Sequence, residues 1–371
     1  MPHSGLGTRP GMVKLWAMPR FFASLILGAA LTGPLGAEQA VDTQPSRVYY
    51  ITDNQAVGDR KAAVPSVVRR MVDRLVMDLT GQSSVPGAWL ALVRPTDVVG
   101  IKVSTSAGPL GGTRAAVVEA VAAGLRAAGL PRERVLVWDR DRESLVRNGF
   151  REDHPDYVLR WIDPRSGYDP KALVTAPVLG RLIWGDSRFG EGGGRFADLL
   201  ESGEQLSSTS YFAKILSREV TAVIHVPSAM DSFLTGVHGA LAGMTLNNLD
   251  NWRRFVKAPE RGDPYIAEIY ADDTIRKKVV LTILDALIVQ YAGGPLPAPN
   301  FTIDNGALFA SRDPVAIDAT LVEMVDRVRA SSKLPPVRPM TTYLESAKVL
   351  GLGEFVPERI ETIRAGVGEY R

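Results

Sequence analysis

Residues 98–138 read VVGIKVSTSAGPLGGTRAAVVEAVAAGLRAAGLPRERVLVW, and their order decides the fold. Residues 98–103 are an almost continuous apolar run, the pattern of a strand buried on both faces. Residues 113–128, rich in alanine and valine, read as a helix that Gly129, Leu130 and Pro131 close with ordinary stop chemistry. Residues 135–138 are a second short apolar run. Strand, helix and strand in so short a span fit a crossover between parallel neighbours.

The alternation extends outward from this unit. Residues 48–51 read as a strand and 64–79 as an amphipathic helix with Val68, Met71, Leu75 and Leu79 on one face. Further on, 207–216 read as a helix, 222–226 as a strand, 279–284 as a strand ending ahead of Asp285, and 307–310 with 315–328 as a last strand and helix. We therefore expect an α/β fold, its largely parallel or mixed sheet covered by helices on both faces. Residues 153–204, rich in glycine, proline and charge, read as an irregular insertion in a single domain spanning 38–371.

A chain of 371 residues, 45% hydrophobic and 23% charged, has ample core and is neither disordered nor a coiled coil by composition. Its first 37 residues differ: Lys14 and Arg20 precede a mostly apolar run at 21–31, followed by Gly33-Pro34-Leu35-Gly36-Ala37. That is the layout of a secretory signal peptide cleaved near Ala37, so a periplasmic or secreted protein is expected. The run is short of the roughly 20 residues a membrane span needs, so no stable anchor is expected once the leader is cleaved. Loss of Arg9, Lys14 and Arg20 takes the net charge from +2 to −1, which gives no electrostatic reason to expect nucleic acid. A protein partner stays open. With no cysteine, the chain has no disulfide, no thiol nucleophile and no thiolate-held iron-sulphur cluster.

Ligands of open α/β sheets bind beyond the carboxyl ends of the strands, which draws attention to Lys102, Asp139, the loop carrying His238, Asp285 and Asp313. In Ala310-Ser311-Arg312-Asp313-Pro314-Val315-Ala316-Ile317-Asp318-Ala319, Asp313 is a natural helix N-cap ahead of Pro314. Asp318 lies a turn and a half into the helix, where capping does not account for it, and needs a partner, a ligand or exposure. The catalytic candidates are Asp285 and Asp318 as acid/base groups, His238 for proton transfer and Lys102 as electrostatic stabiliser. Asp139, Asp285 and Asp313 are the candidate ligands for a divalent metal, set against caps and ion pairs. The backbone of Gly111, Gly112 and Thr113 could hold an anion, or form a turn with Thr113 as N-cap. Asn251, beside Arg253 and Arg254, is a further ligand candidate, whereas His225, inside an apolar strand, reads as a hydrogen-bonded core residue.

Several segments also resemble the domain-of-unknown-function 362 family of bacterial and archaeal proteins. They are Val99-Gly100-Ile101-Lys102-Val103, Val135-Leu136-Val137-Trp138-Asp139-Arg140, Val220-Thr221-Ala222-Val223-Ile224-His225-Val226-Pro227, Thr235-Gly236-Val237 with Gly239-Ala240-Leu241, Ile283-Leu284-Asp285-Ala286, Gly293-Gly294-Pro295, and the stretch from Asp313 to Asp318. Their shared order, across roughly two thirds of the chain, carries the resemblance. Members of that family often carry a lysine and a histidine, then a lysine-asparagine pair, where this chain has Met230, Ser232, Ala242 and Gly243. Sequence and resemblance together lead us to expect an exported protein that binds a small anionic molecule in an α/β cleft, with a divalent metal as an option and catalysis open. The alternative is a non-catalytic accessory or binding protein with a degenerate family site.

Overall fold

In the computed structural model the described residues are 45–175, 209–256 and 261–366, all within the unit Gln44–Arg371. The leader and the glycine run at 190–194 lie outside the described residues.

The frame is a mixed sheet whose strands are β1 (Ser46–Thr52), β2 (Val99–Val103), β3 (Val135–Asp139), β4 (Val158–Trp161), β7 (Ala222–Val226), β10 (Val279–Gln290), β11 (Thr302–Ser311) and β12 (Ile360–Arg364). They lie side by side in the order β12-β1-β11-β10-β7-β2-β3-β4. Along this path only β11 runs against its neighbours. Two short strands, β8 (Ser228–Ser232) and β9 (Gly236–Val237), extend the sheet beside β10. The central strands β2, β3 and β7 are buried at every position, and their mostly apolar content suits strands covered on both faces.

Helices α1 (Pro65–Thr80), α2 (Val85–Leu90) and α4 (Ala115–Ala127) cover one face through Val68, Leu75, Trp89 and Val118. Short helices α3 (Gly108–Gly111) and α5 (Arg142–Arg147) flank α4 in the chain. The other face is covered by α6 (Ala240–Thr245), α7 (Tyr265–Ala271), α9 (Pro314–Ser331) and α10 (Tyr343–Val349), with α8 (Asp273–Arg276) between α7 and β10. The expected α/β class, mostly parallel and helix-covered on both faces, is what the chain adopts. Glycine is needed at one close approach in the sheet: a Cβ on Gly100 would lie 2.5 Å from Trp138 Cζ3, so the indole lies across β2 because that position has no side chain.

Two local expectations need correction. The segment read as helix at 207–216 holds strand β6 (Thr209–Ala213), and residues 207–208 lie outside the described part. It pairs antiparallel with β5 (Tyr168–Thr175) in a separate two-stranded sheet. The apolar spacing of Phe212, Ile215 and Leu216 suits a helix as well as a strand running into a single π turn, and only tertiary pairing decides. The first part of the stretch expected to be irregular is likewise ordered, since β4 joins the main sheet and β5 follows it.

Candidate functional site

The strand order reverses between β2 and β7. The chain runs outward from β2 through β3 to β4, then resumes at β7 on the opposite side of β2 and continues to β10. In open α/β sheets this reversal opens a crevice at the carboxyl ends of the strands.

Lys102 stands near the end of β2 and His225 near the end of β7, directly opposite each other in the parallel register. Both are 0% exposed. The Lys102 ammonium donates to Asp139 Oδ1 at 2.7 Å and to the Val103 carbonyl at 2.5 Å. Asp139 Oδ2 accepts from the Thr105 amide at 2.8 Å and its hydroxyl at 2.7 Å. Burial opposes the charge of Asp139, but Lys102 and Thr105 outweigh it and hold the carboxyl below its usual range. Burial also lowers the Lys102 ammonium, while Asp139 supports it. The result is a buried ion pair that closes the ends of β2 and β3 together.

Among the described residues His225 has no hydrogen-bond partner at either ring nitrogen, contrary to the expected satisfied core histidine. Burial, reinforced by the charge of Lys102, holds it neutral. The ring lies edge-on against Gly243 of α6: a Cβ there would be 2.9 Å from Cε1, 3.0 Å from Nε2 and 3.5 Å from Ser104 Oγ. Ser104 Oγ is itself buried without a partner among the described residues. His238 completes the group, its Nε2 3.1 Å from the Asn247 amide nitrogen. Burial and then the Lys102 charge lower its pKa to about 4, so it is a neutral imidazole at neutral pH.

Lys102, Asp139 and His238 are thus brought together. The remaining acidic candidates are placed elsewhere, each with a structural task. Asp285 lies inside β10 and not beyond its end; it accepts from the Arg114 amide at 2.8 Å and pairs with the Arg114 guanidinium at 3.2 Å. Arg114 was missed because its partner lies 171 residues away and no local pattern connects them. Asp318 accepts from the amides of Ala240 at 2.5 Å and Leu241 at 3.0 Å, capping α6 from a different helix, and burial raises its pKa to about 7. Asp313 is the expected N-cap, receiving Val315 N at 2.8 Å and Ala316 N at 2.9 Å. With Asp139, Asp285 and Asp313 held separately, the proposed metal set does not form; among the described residues no group of three His, Asp or Glu side chains is arranged to hold an ion.

The Gly111, Gly112 and Thr113 segment is no open cradle. A Cβ on Gly111 would meet Gln290 Oε1 at 2.7 Å, and one on Gly112 would meet Asn148 Oδ1 at 2.6 Å. Thr113 does not cap α4; its hydroxyl accepts from Ser104 N at 2.9 Å and donates to Val226 O at 2.6 Å, bracing β2 against β7 beneath the site. Among the described residues Asn251 is buried with both side-chain amide atoms unpartnered, and no hydrogen bond joins it to Lys102 or His225.

No protein-family model matches the chain, and no curated protein matches its sequence. Among solved structures it is similar to the crystal structure of a Thermotoga maritima protein determined as a structural genomics target, at 13% identity and a TM-score of 0.39. The match covers 73% of this chain and 60% of that one, less than two thirds of that protein's length. Among the described residues no helix is long and apolar enough to cross a membrane.

Proposed function

We propose that this chain is an exported protein of the domain-of-unknown-function 362 type that binds a small anionic molecule in the crevice between β2 and β7. The observation that supports this most is the fully buried Lys102, paired with Asp139 and facing an unpartnered His225 at the strand reversal. Burying an ammonium, a carboxylate and a bare imidazole together costs folding free energy, and binding chemistry is a reason to retain them. In this reading Lys102 supplies positive charge and His238 accepts or returns a proton.

A second reading, a binding module without chemistry, is supported by Gly243, which stands where the resemblance implies asparagine and packs directly on the His225 ring. Calorimetric titration with a panel of small carboxylates and phosphates tests the proposal. Saturable binding by the wild type that is lost in Lys102→Met, with the variant folded by circular dichroism, supports it; no binding, or binding indifferent to Lys102, refutes it. Turnover of a bound acid would separate the enzyme from the module.

A further inference from the structure

The donors and acceptors around Lys102 do not balance, and the imbalance describes a ligand. An ammonium has three protons. Lys102 gives one to Asp139 and one to Val103 O, and the third has no partner among the described residues. Asp139 is already served: Oδ1 faces Lys102, and Oδ2 takes both the amide and the hydroxyl of Thr105. Ser104 follows Lys102 by two residues, so its side chain leaves the same face of the sheet. The shared approach of Ser104 Oγ and the His225 ring to Gly243 bears this out.

Among the described residues three donors on this face therefore lack an acceptor, the third Lys102 N–H, the Ser104 O–H and the one N–H of neutral His225, while the Ser104 oxygen and the other His225 nitrogen lack a donor. Buried polar groups in native proteins are almost always paired, so three together on one face call for an acceptor-rich occupant. The charge inventory restricts it further. Asp139 offsets Lys102, both histidines are neutral, and Arg140, within charge range of Lys102 and His238, has Asp250 within its own range, so at most a small positive surplus faces this group. That suits one negative charge on two oxygens and falls short of a phosphate dianion.

We infer that Lys102, Ser104 and His225 form a clamp for the carboxylate of a small organic acid, with Lys102 and Ser104 donating to the carboxylate and His225 donating through one nitrogen while its other nitrogen accepts from a neighbouring hydroxyl or amine of the ligand. This rests on the proposed anion site at the strand reversal and assigns it a chemical class and two contacts, Ser104 and His225, beyond Lys102 and His238.

The test is long-range 1H–15N NMR of the full-length protein labelled at its histidine ring nitrogens, titrated separately with acetate and inorganic phosphate. His225 resonances are identified by their absence in His225→Gln. The expected result is a saturable acetate shift at His225, weakened about tenfold in Ser104→Ala, an isosteric loss of one hydrogen bond, with phosphate leaving the resonances in place. A phosphate response stronger than that to acetate, or an acetate response unchanged in Ser104→Ala, overturns the carboxylate clamp. If neither anion moves His225 while calorimetry still registers Lys102-dependent binding, the clamp fails and the anion site stands; if both signals are missing, both fail.

Discussion

Lys102 Nζ and Asp139 Oδ1 lie 2.7 Å apart on adjacent parallel strands, both shielded from solvent, with Thr105 occupying the other carboxylate oxygen. Removing either partner strands a buried charge. Asp139→Ala or Lys102→Met alone is expected to cost about 3–5 kcal/mol, and the double variant to recover a large part of that loss, because the desolvation of both charges disappears together. Urea denaturation of the two single variants and the double variant measures this coupling.

Asp318 and Gly239 are a matched pair. The carboxylate caps α6, and a Cβ on Gly239 would sit 2.0 Å from its Oδ1. Asp318→Ala should destabilise by about 1–3 kcal/mol for each buried amide it orphans. Gly239→Ala should displace the carboxylate and approach the same loss. Hydrogen exchange at Ala240 and Leu241 amides should accelerate in both variants.

Acid should weaken the fold through the histidines. His238, held near 4 by burial and the Lys102 charge, titrates in the unfolded chain at its ordinary 6.5, and burial holds His225 well below 6.5 too. Between those values the unfolded chain binds protons the folded chain refuses, so stability falls as pH drops from 6.5, by up to about 1.4 kcal/mol per pH unit per histidine. Asp318 acts in the opposite sense: raised to about 7, it is protonated in the folded chain where the unfolded carboxyl is ionised, and its contribution is lost as pH rises toward 7. Denaturation series at several pH values should show a shallower acid loss in His238→Leu and a steeper one in Asp318→Asn.

Gly100→Ala should cost about 1–3 kcal/mol, the usual range for forcing a methyl into a packed core. The clash is with the six-membered ring of Trp138 and with Val220 Cγ1, so adding Trp138→Leu should restore only the Trp138 part of the loss. A double-mutant cycle read by thermal melting checks it.

The strands around Lys102 were legible because a doubly covered strand must be an apolar run, and residues 98–103, 135–138 and 222–226 are such runs. The same reading directs attention to strand ends, where the structure places Lys102 and Asp139, with His238 within charge range of Lys102. What a linear pattern cannot carry is the identity of a distant partner. Asp285 seemed a strand-end acid until Arg114 proved to meet it within β10, and Asp318 seemed to lack a structural role because the helix it caps lies 77 residues earlier. His225 was misread for the same reason: an apolar neighbourhood in sequence suggests a satisfied core, whereas its lack of hydrogen-bond partners emerges only when β2, β7 and α6 are assembled.

The central claim is that the β2–β7 crevice holds a small anion through Lys102. Native mass spectrometry of the protein, isolated without chelator or denaturant, tests it most directly. The account predicts a stoichiometric mass excess that is released as a small organic acid on denaturation and is missing in folded Lys102→Met. A mass equal to that of the bare chain in both proteins, with no small acid retained from a carboxylate panel, would contradict it.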